Sequence, residues 1–203
     1  MEKFVFFGDS NTYGLGLGGK WDEDWNNGPH PLGWANILCT MRNATGRNLS
    51  KPGSSNLQIL WTMINTKIEP DETIIVQWSF WNRDCVLDKN IIQIRPDVPT
   101  ARLYYKTHTE IDMQRRKWMN INHGYLWLTQ KSNKFLMLGN KRVYNIDNLE
   151  YDVDIAKLTD TLIPYYFIDF WYDMAEDGIH YGTKSNNKWA AFVNKSLDSE
   201  LKG

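Results

Sequence analysis

Short apolar runs alternate along the chain with stretches whose apolar residues recur every three or four positions. Phe4 to Phe7 form a continuous apolar run that stops at Gly8, which is typical of a strand buried on both faces of a sheet. The β-branched run from Thr73 to Trp78 predicts another buried strand. Further strands are expected over residues 48–50, 142–146 and 165–170.

Helical spacing fills the gaps between these strands. One helix is predicted to begin near Pro31, with Trp34 and Leu38 on its apolar face. Another is capped by Ser54 or Ser55. Further helices are predicted from near Thr109, over 124–137 and over 184–197. Strands that alternate with helices in this way predict the α/β class.

The specific expectation is a three-layer α/β/α sandwich around a flavodoxin-like parallel sheet. No repeat, low-complexity tract or linker divides the chain, so residues 1–203 are expected to form one domain. Composition narrows the partners: 23 basic against 24 acidic residues give a net charge of −1, which argues against nucleic acid as a partner. No apolar run is long enough for a signal peptide or a membrane span, so no membrane partner and a cytoplasmic or otherwise non-secreted protein are expected.

Polar side chains cluster where the predicted strands end. In a parallel sheet the loops at the carboxyl ends of the strands meet at one edge, where functional groups collect. One such loop holds Ser10, and another holds His180 three residues after Asp177. A serine, a histidine base, a carboxylate to orient it and N–H donors for an oxyanion are what nucleophilic acyl transfer requires. These loops are therefore the candidate site.

Two of the loops carry motifs that resemble the SGNH (GDSL-type) hydrolases. GDSNTYG, residues 8–14, follows a strand near the N-terminus and looks like the family's first block. DGIH, residues 177–180, precedes a helix and is similar to the last block. The resemblance covers most of the chain. It implies the SGNH hydrolase fold and a serine esterase that needs neither a metal nor a cofactor.

The resemblance also implies a role for each matching residue. Ser10 would be the nucleophile, His180 the base and Asp177 its orienting partner. The backbone N–H groups of Ser10 and Gly53 would enter the oxyanion hole. Each residue type also has a structural interpretation, since serine caps helices, glycine serves turns and asparagine bonds its own backbone in loops.

The third family block is where this chain departs from the pattern. The family usually has glycine, one residue, then Asn and Asp, whereas residues 79–84 read SFWNRD, with Arg83 where Asp is common. Asn82 is the best candidate for a side-chain oxyanion donor. Ser79 or a neighbouring backbone N–H is the alternative.

Aromatic residues reach 14% of the chain, and three tryptophans fall in or beside the candidate loops. Because sugar rings stack on exposed aromatic faces, Trp21, Trp25 and Trp81 are candidate substrate-binding residues, although packing of a loop would explain them equally well. The expected partner is a small-molecule or glycan ester, with O-acetylated carbohydrate favoured. The alternative function is a non-catalytic carbohydrate-binding or structural protein on the same scaffold. A nucleotide binder is disfavoured, because no phosphate-binding loop is present.

Overall fold

A central parallel sheet organises the protein. The computed structural model describes residues 1–18, 28–80, 82–87, 91–96, 99–131, 134–139, 162–163 and 172–200. In these ranges the sheet has the order β2-β1-β3-β6-β7, and each neighbouring pair is parallel. Its strands are β1 (Lys3–Phe7), β2 (Thr45–Asn48), β3 (Glu72–Gln77), β6 (Phe135–Leu138) and β7 (Leu162–Ile163). A separate antiparallel hairpin is formed by β4 (Asp84–Leu87) and β5 (Ile91–Ile94).

Helices connect the strands and cover both faces of the sheet. The short helix α1 (Ser10–Tyr13) follows β1 directly. The others are α2 (Trp34–Met41), α3 (Asn56–Ile64), α4 (Arg102–Thr107), α5 (Glu110–Lys131) and α6 (Thr183–Glu200). This strand order and helix placement confirm the predicted α/β fold with a flavodoxin-like sheet.

The alternation of side chains along β1 divides the core into two layers. Phe4 and Phe6 point to one face, and Val5 and Phe7 point to the other, because successive strand residues face opposite sides. The first layer includes Trp34 and Leu38 of α2 and Trp189 and Val193 of α6. The second includes Ile59 and Met63 of α3 and Trp118, Ile121 and Leu128 of α5. Every residue from Phe4 to Phe7 is at most 2% exposed, so β1 is the buried centre of the sandwich.

Most predicted elements are confirmed, with shifted ends. The helix expected from Pro31 begins at Trp34, and Ser55 caps α3 by accepting a hydrogen bond from the Gln58 N–H at 3.2 Å. The strand expected at 48–50 lies earlier, at Thr45–Asn48, with Leu49 hydrogen-bonded just beyond its end. The strands predicted at 142–146 and 165–170 lie outside the described residues.

One helix prediction is wrong. Residues 124–137 were expected to form a separate helix, but α5 runs without a break from Glu110 to Lys131. The remaining apolar residues, Phe135 to Leu138, form β6 beside β3. A four-residue apolar run has no period of its own, so the helical pattern before it was extended across the strand.

A buried asparagine joins the starts of α2 and α6. Asn186 is 2% exposed, and its Oδ1 accepts the backbone N–H of Trp34 at 3.0 Å. Its Nδ2 donates to the carbonyl oxygens of Tyr181 and Gly182, at 3.0 Å each. The side chain therefore fixes the segment that directly follows His180 against the body of the fold.

Asn186→Ala is expected to lower the free energy of unfolding by about 1–3 kcal/mol, because it leaves buried backbone groups without partners. Asn187→Ala is the matched control: the Asn187 side chain is exposed and, among the described residues, donates only to the Thr183 carbonyl, at 2.8 Å. That control should change stability by less than about 0.5 kcal/mol. Urea unfolding measures both, and equal losses in the two variants would contradict this role for Asn186.

Candidate active site

The candidate site lies at the carboxyl edge of the sheet. Phe7 of β1 pairs with Val76 of β3, so the residues that follow the two strands leave the sheet side by side. The loop after β2 leads to Gly53, and the segment before α6 contains Asp177 and His180. The fold thus directs all four predicted loops to one edge, as expected for this architecture.

Ser10 is the first residue of α1 and is 3% exposed. Asp9 caps this helix, because its Oδ1 accepts the backbone N–H of Asn11 at 3.0 Å. The helix is tied to β3 by the Thr12 hydroxyl, which donates to Gln77 Oε1 at 3.0 Å. It is also tied to β2, since Asn48 Nδ2 donates to the Thr12 carbonyl at 2.8 Å. The serine therefore sits on a short, firmly held turn rather than on a loose loop.

Asp177 and His180 form a hydrogen-bonded carboxylate–imidazole pair. His180 Nδ1 lies 2.6 Å from Asp177 Oδ2. The other oxygen, Oδ1, accepts the backbone N–H groups of Ile179 at 2.9 Å and His180 at 3.0 Å. With Nδ1–H bonded to the carboxylate, Nε2 is the ring nitrogen that can accept a proton. This is the arrangement that a histidine base requires.

The surroundings of Asp177 favour its charged form. Burial alone would raise the pKa of Asp177, but the hydrogen bonds from the His180 backbone, the His180 ring and the Ile179 backbone outweigh it and hold the pKa below its ordinary value of 3.8. A carboxylate with a lowered pKa in the folded state stabilises the fold above its unfolded-state pKa. That contribution is lost as the pH falls through the lowered folded-state pKa.

A glycine connects the two halves of the site. Gly16 follows α1 with φ at +87°, and a Cβ built there would lie 2.6 Å from Asp177 Cγ. The loop that begins at Ser10 and the carboxylate of Asp177 are therefore in direct contact. No hydrogen bond between the Ser10 hydroxyl and His180 is found among the described residues.

Gly53 provides the second candidate oxyanion donor. It is buried in the turn after β2 and has φ at +74°. In the described part of the chain, neither the Gly53 N–H nor the Ser10 N–H is hydrogen-bonded. The adjacent turn is braced by Gln93 Nε2, which donates to the Pro52 carbonyl at 2.9 Å. Both backbone N–H groups that were predicted as oxyanion donors are thus without an acceptor among the described residues.

The third loop is held by contacts that the sequence analysis missed. Asn56 Oδ1 accepts the Ser79 backbone N–H at 2.7 Å, and the Ser79 hydroxyl donates to Asp9 Oδ2 at 2.9 Å. Arg83 also donates to Asp9 Oδ2, at 3.1 Å. Both Ser79 donors are thus engaged in hydrogen bonds within the protein. The one sign of these contacts in the sequence was Arg83, at a position where the family commonly has an aspartate.

Asn82 lies next to this network. Its backbone carbonyl accepts the Tyr105 hydroxyl at 2.7 Å, and its side chain is half-buried. No described residue is hydrogen-bonded to the Asn82 side-chain amide. The predicted substrate-binding residues Trp21, Trp25 and Trp81 lie outside the described residues.

Within the described ranges, no group of three or more His, Cys, Asp or Glu side chains is placed to hold a metal ion. No helix in those ranges has the length and apolar character needed to cross a bilayer.

Several proteins of known structure share this architecture. No protein-family model and no curated protein sequence matches the chain. The chain is similar to a carbohydrate esterase whose active site has divergent catalytic and non-catalytic binding functions, with a TM-score of 0.62 and 11% identity over 98% of this chain and 69% of that one. It is similar to the acetyl xylan esterase Est2A from Butyrivibrio proteoclasticus, with a TM-score of 0.60 and 16% identity over 99% of this chain and 64% of that one.

A third similar structure is the psychrotrophic esterase EstA from Pseudoalteromonas sp., with a TM-score of 0.58 and 10% identity over the full length of both chains. Other similar structures belong to the lipolytic G-D-S-L proteins. The chain therefore has the fold of the SGNH (GDSL-type) hydrolases, as the two sequence motifs implied.

Gly16→Ala is expected to displace the Asp177 carboxylate and to destabilise the protein more than Gly28→Ala does. Both positions have a left-handed φ, which costs a non-glycine residue about 1–2 kcal/mol, but a Cβ at Gly28 meets nothing within 4 Å. The collision at Gly16 should add about 1–3 kcal/mol. Urea unfolding gives the two losses, and amide hydrogen exchange at Ile179 and His180 should accelerate only in Gly16→Ala. Unchanged exchange there would show that Asp177 does not depend on this contact.

Proposed function

We propose that this chain is a serine esterase that hydrolyses carboxylic esters through Ser10, His180 and Asp177. The observation that carries the proposal is the 2.6 Å hydrogen bond between His180 Nδ1 and Asp177 Oδ2. Asp177 contacts the loop that begins at the buried Ser10. An imidazole that is oriented by a carboxylate can take the proton of a serine hydroxyl within its reach, which makes that hydroxyl a nucleophile at neutral pH. The fold shared with esterases supports the same chemistry.

In the acylation step, His180 Nε2 takes the proton of the Ser10 hydroxyl while Oγ attacks the ester carbonyl. The negative charge that develops on the carbonyl oxygen is held by the N–H groups of Ser10 and Gly53, with the Asn82 amide as the proposed third donor. The tetrahedral intermediate then collapses, and the alcohol leaves with the proton from His180. Asp177 stabilises the imidazolium between these two transfers.

Deacylation repeats the sequence with water. His180 takes a proton from a water molecule, and the resulting hydroxide attacks the acyl–Ser10 carbonyl at the same oxyanion site. Collapse releases the carboxylic acid and returns the proton to Ser10. No metal or cofactor enters this cycle.

For the substrate, we propose an O-acetyl group on carbohydrate. Two of the similar structures are described as a carbohydrate esterase and an acetyl xylan esterase. The tryptophans at positions 21, 25 and 81 would supply stacking surfaces for sugar rings beside the site. The second candidate function is carbohydrate binding without turnover. It is supported by the third loop, which departs from the family pattern and is held by Ser79 and Arg83.

Ser10→Ala is expected to lower kcat for p-nitrophenyl acetate by a factor on the order of 10⁴ or more while leaving the unfolding midpoint nearly unchanged, because the variant lacks only the nucleophile. A fluorophosphonate probe should label the wild type once and Ser10→Ala not at all. Ser54→Ala is the matched control: Ser54 is another buried serine at the same edge, and its variant should still be labelled. Labelling that survives in Ser10→Ala would overturn the assignment, and no hydrolysis by the wild type would favour the binding function.

Asn82→Ala is expected to lower kcat by about 10²–10³ with little change in KM, because an oxyanion donor acts mainly in the transition state. Tyr105→Phe is the comparison, since it removes a hydroxyl that holds the Asn82 carbonyl and leaves the amide in place. Its effect on kcat should be much smaller. Activity of Asn82→Ala within about threefold of wild type, with an unchanged melting temperature, would remove Asn82 from the oxyanion hole.

A further inference from the structure

The carboxylate of Asp9 is nearly inaccessible, yet it is not part of the proposed triad. Its side chain is 3% exposed, and both oxygens are used. Oδ1 accepts the Asn11 N–H at the start of α1. Oδ2 accepts the Ser79 hydroxyl at 2.9 Å and Arg83 at 3.1 Å. The residue directly before Ser10 therefore connects the serine turn to the loop after β3.

A carboxylate buried this deeply needs a positive partner, because the loss of hydration strongly disfavours an uncompensated charge. In the described part of the chain, the cation that pairs with Asp9 is Arg83. The guanidinium is itself held in place: its side chain is 21% exposed and its Cζ lies 5.1 Å from the centroid of the Phe80 ring. The pair is thus largely shielded from solvent, unlike a surface ion pair.

The pair also attaches the third loop, residues 79–84, to the serine turn. That loop has no glycine and no acid in the usual place, and its attachment to the serine turn runs through Ser79 and Arg83 to one oxygen of Asp9. The other oxygen of Asp9 accepts the backbone N–H of Asn11, the residue directly after Ser10. Any movement of the Asp9 side chain would therefore shift the backbone on which Ser10 and its N–H are mounted.

We propose that Arg83 is a positioning residue that fixes the Ser10 turn through Asp9 and does not itself contact the substrate. Its catalytic consequence rests on the proposed esterase function, but its structural consequence does not. Loss of the Arg83 charge should loosen residues 8–14. It should lower kcat while leaving KM almost unchanged, because a small misplacement of the nucleophile weakens the transition state more than substrate binding.

The experiment compares Arg83→Gln, Arg83→Lys and the double variant D9N/R83Q with the wild-type protein. In Arg83→Gln, the Asn11 amide should lose about tenfold in protection from hydrogen exchange, and kcat should fall by about 10–100-fold. Arg83→Lys should recover most of both, since it restores the charge. D9N/R83Q should show higher exchange protection and a higher kcat than Arg83→Gln, because the double variant no longer contains a buried carboxylate without a charged partner. Arg116→Gln is the matched control: it breaks a more exposed pair, Arg116 with Asp84 at 3.4 Å, and should change neither quantity.

The outcomes separate this proposal from the esterase proposal. Unchanged exchange in residues 8–14 of Arg83→Gln would overturn the positioning role, whatever the activity. A rise in KM with kcat unchanged would also overturn it, since that result assigns Arg83 to substrate binding. If the wild type shows no serine labelling and no hydrolysis, the esterase proposal fails, and the exchange comparison still decides whether Arg83 fixes the serine turn.

Discussion

The burial of Phe4 to Phe7 in β1 is the constraint on which the rest of the structure depends. Both faces of this strand are covered, by α2 and α6 on one side and by α3 and α5 on the other. The chain must therefore pass from a buried apolar run to a polar turn within two residues, at Gly8 and Asp9. Polar groups placed so deeply need hydrogen-bond partners, because buried groups without them cost free energy. The loops after β2 and β3 are arranged to supply those partners.

Two aspartates whose side chains are nearly inaccessible meet this requirement in the same way. Asp9 uses one oxygen for the Asn11 N–H and the other for Arg83, and Asp177 uses one for the Ile179 and His180 N–H groups and the other for the His180 ring. Each carboxylate thus shapes a backbone turn and holds one basic side chain. One turn carries Ser10, and the other carries the imidazole. The geometry of the proposed reaction then follows from two local electrostatic arrangements that share a rigid sheet edge.

The elements that sequence patterns predicted are those whose burial is strongest. The apolar runs Phe4–Phe7 of β1 and Ile74–Val76 of β3 are fully buried, and the capped start of α3 lies where Ser55 indicated it. The edge strand β2 was predicted too late in the chain, at 48–50, because Thr45 to Arg47 are exposed and carry no apolar pattern. The β4–β5 hairpin was also missed: it is only half-buried, and its strands are four residues each. The hydrophobic pattern of a segment reflects its burial, so strands at the margin of the core have only a weak pattern.

In the candidate site, what could be predicted depended on how close the residues lie in the sequence. Ser10, Asp177 and His180 were identified because they lie in short contiguous motifs, and the Asp177–His180 pairing is local, three residues apart. Arg83 and Asp9 are separated by 74 positions, so neither neighbourhood contains a signal of the other. What marks the pair is a physical requirement: a carboxylate that is 3% exposed needs a compensating charge from somewhere in the fold. The arginine that looks like a departure from a motif when read in sequence is, in three dimensions, the partner that the residue beside the serine requires.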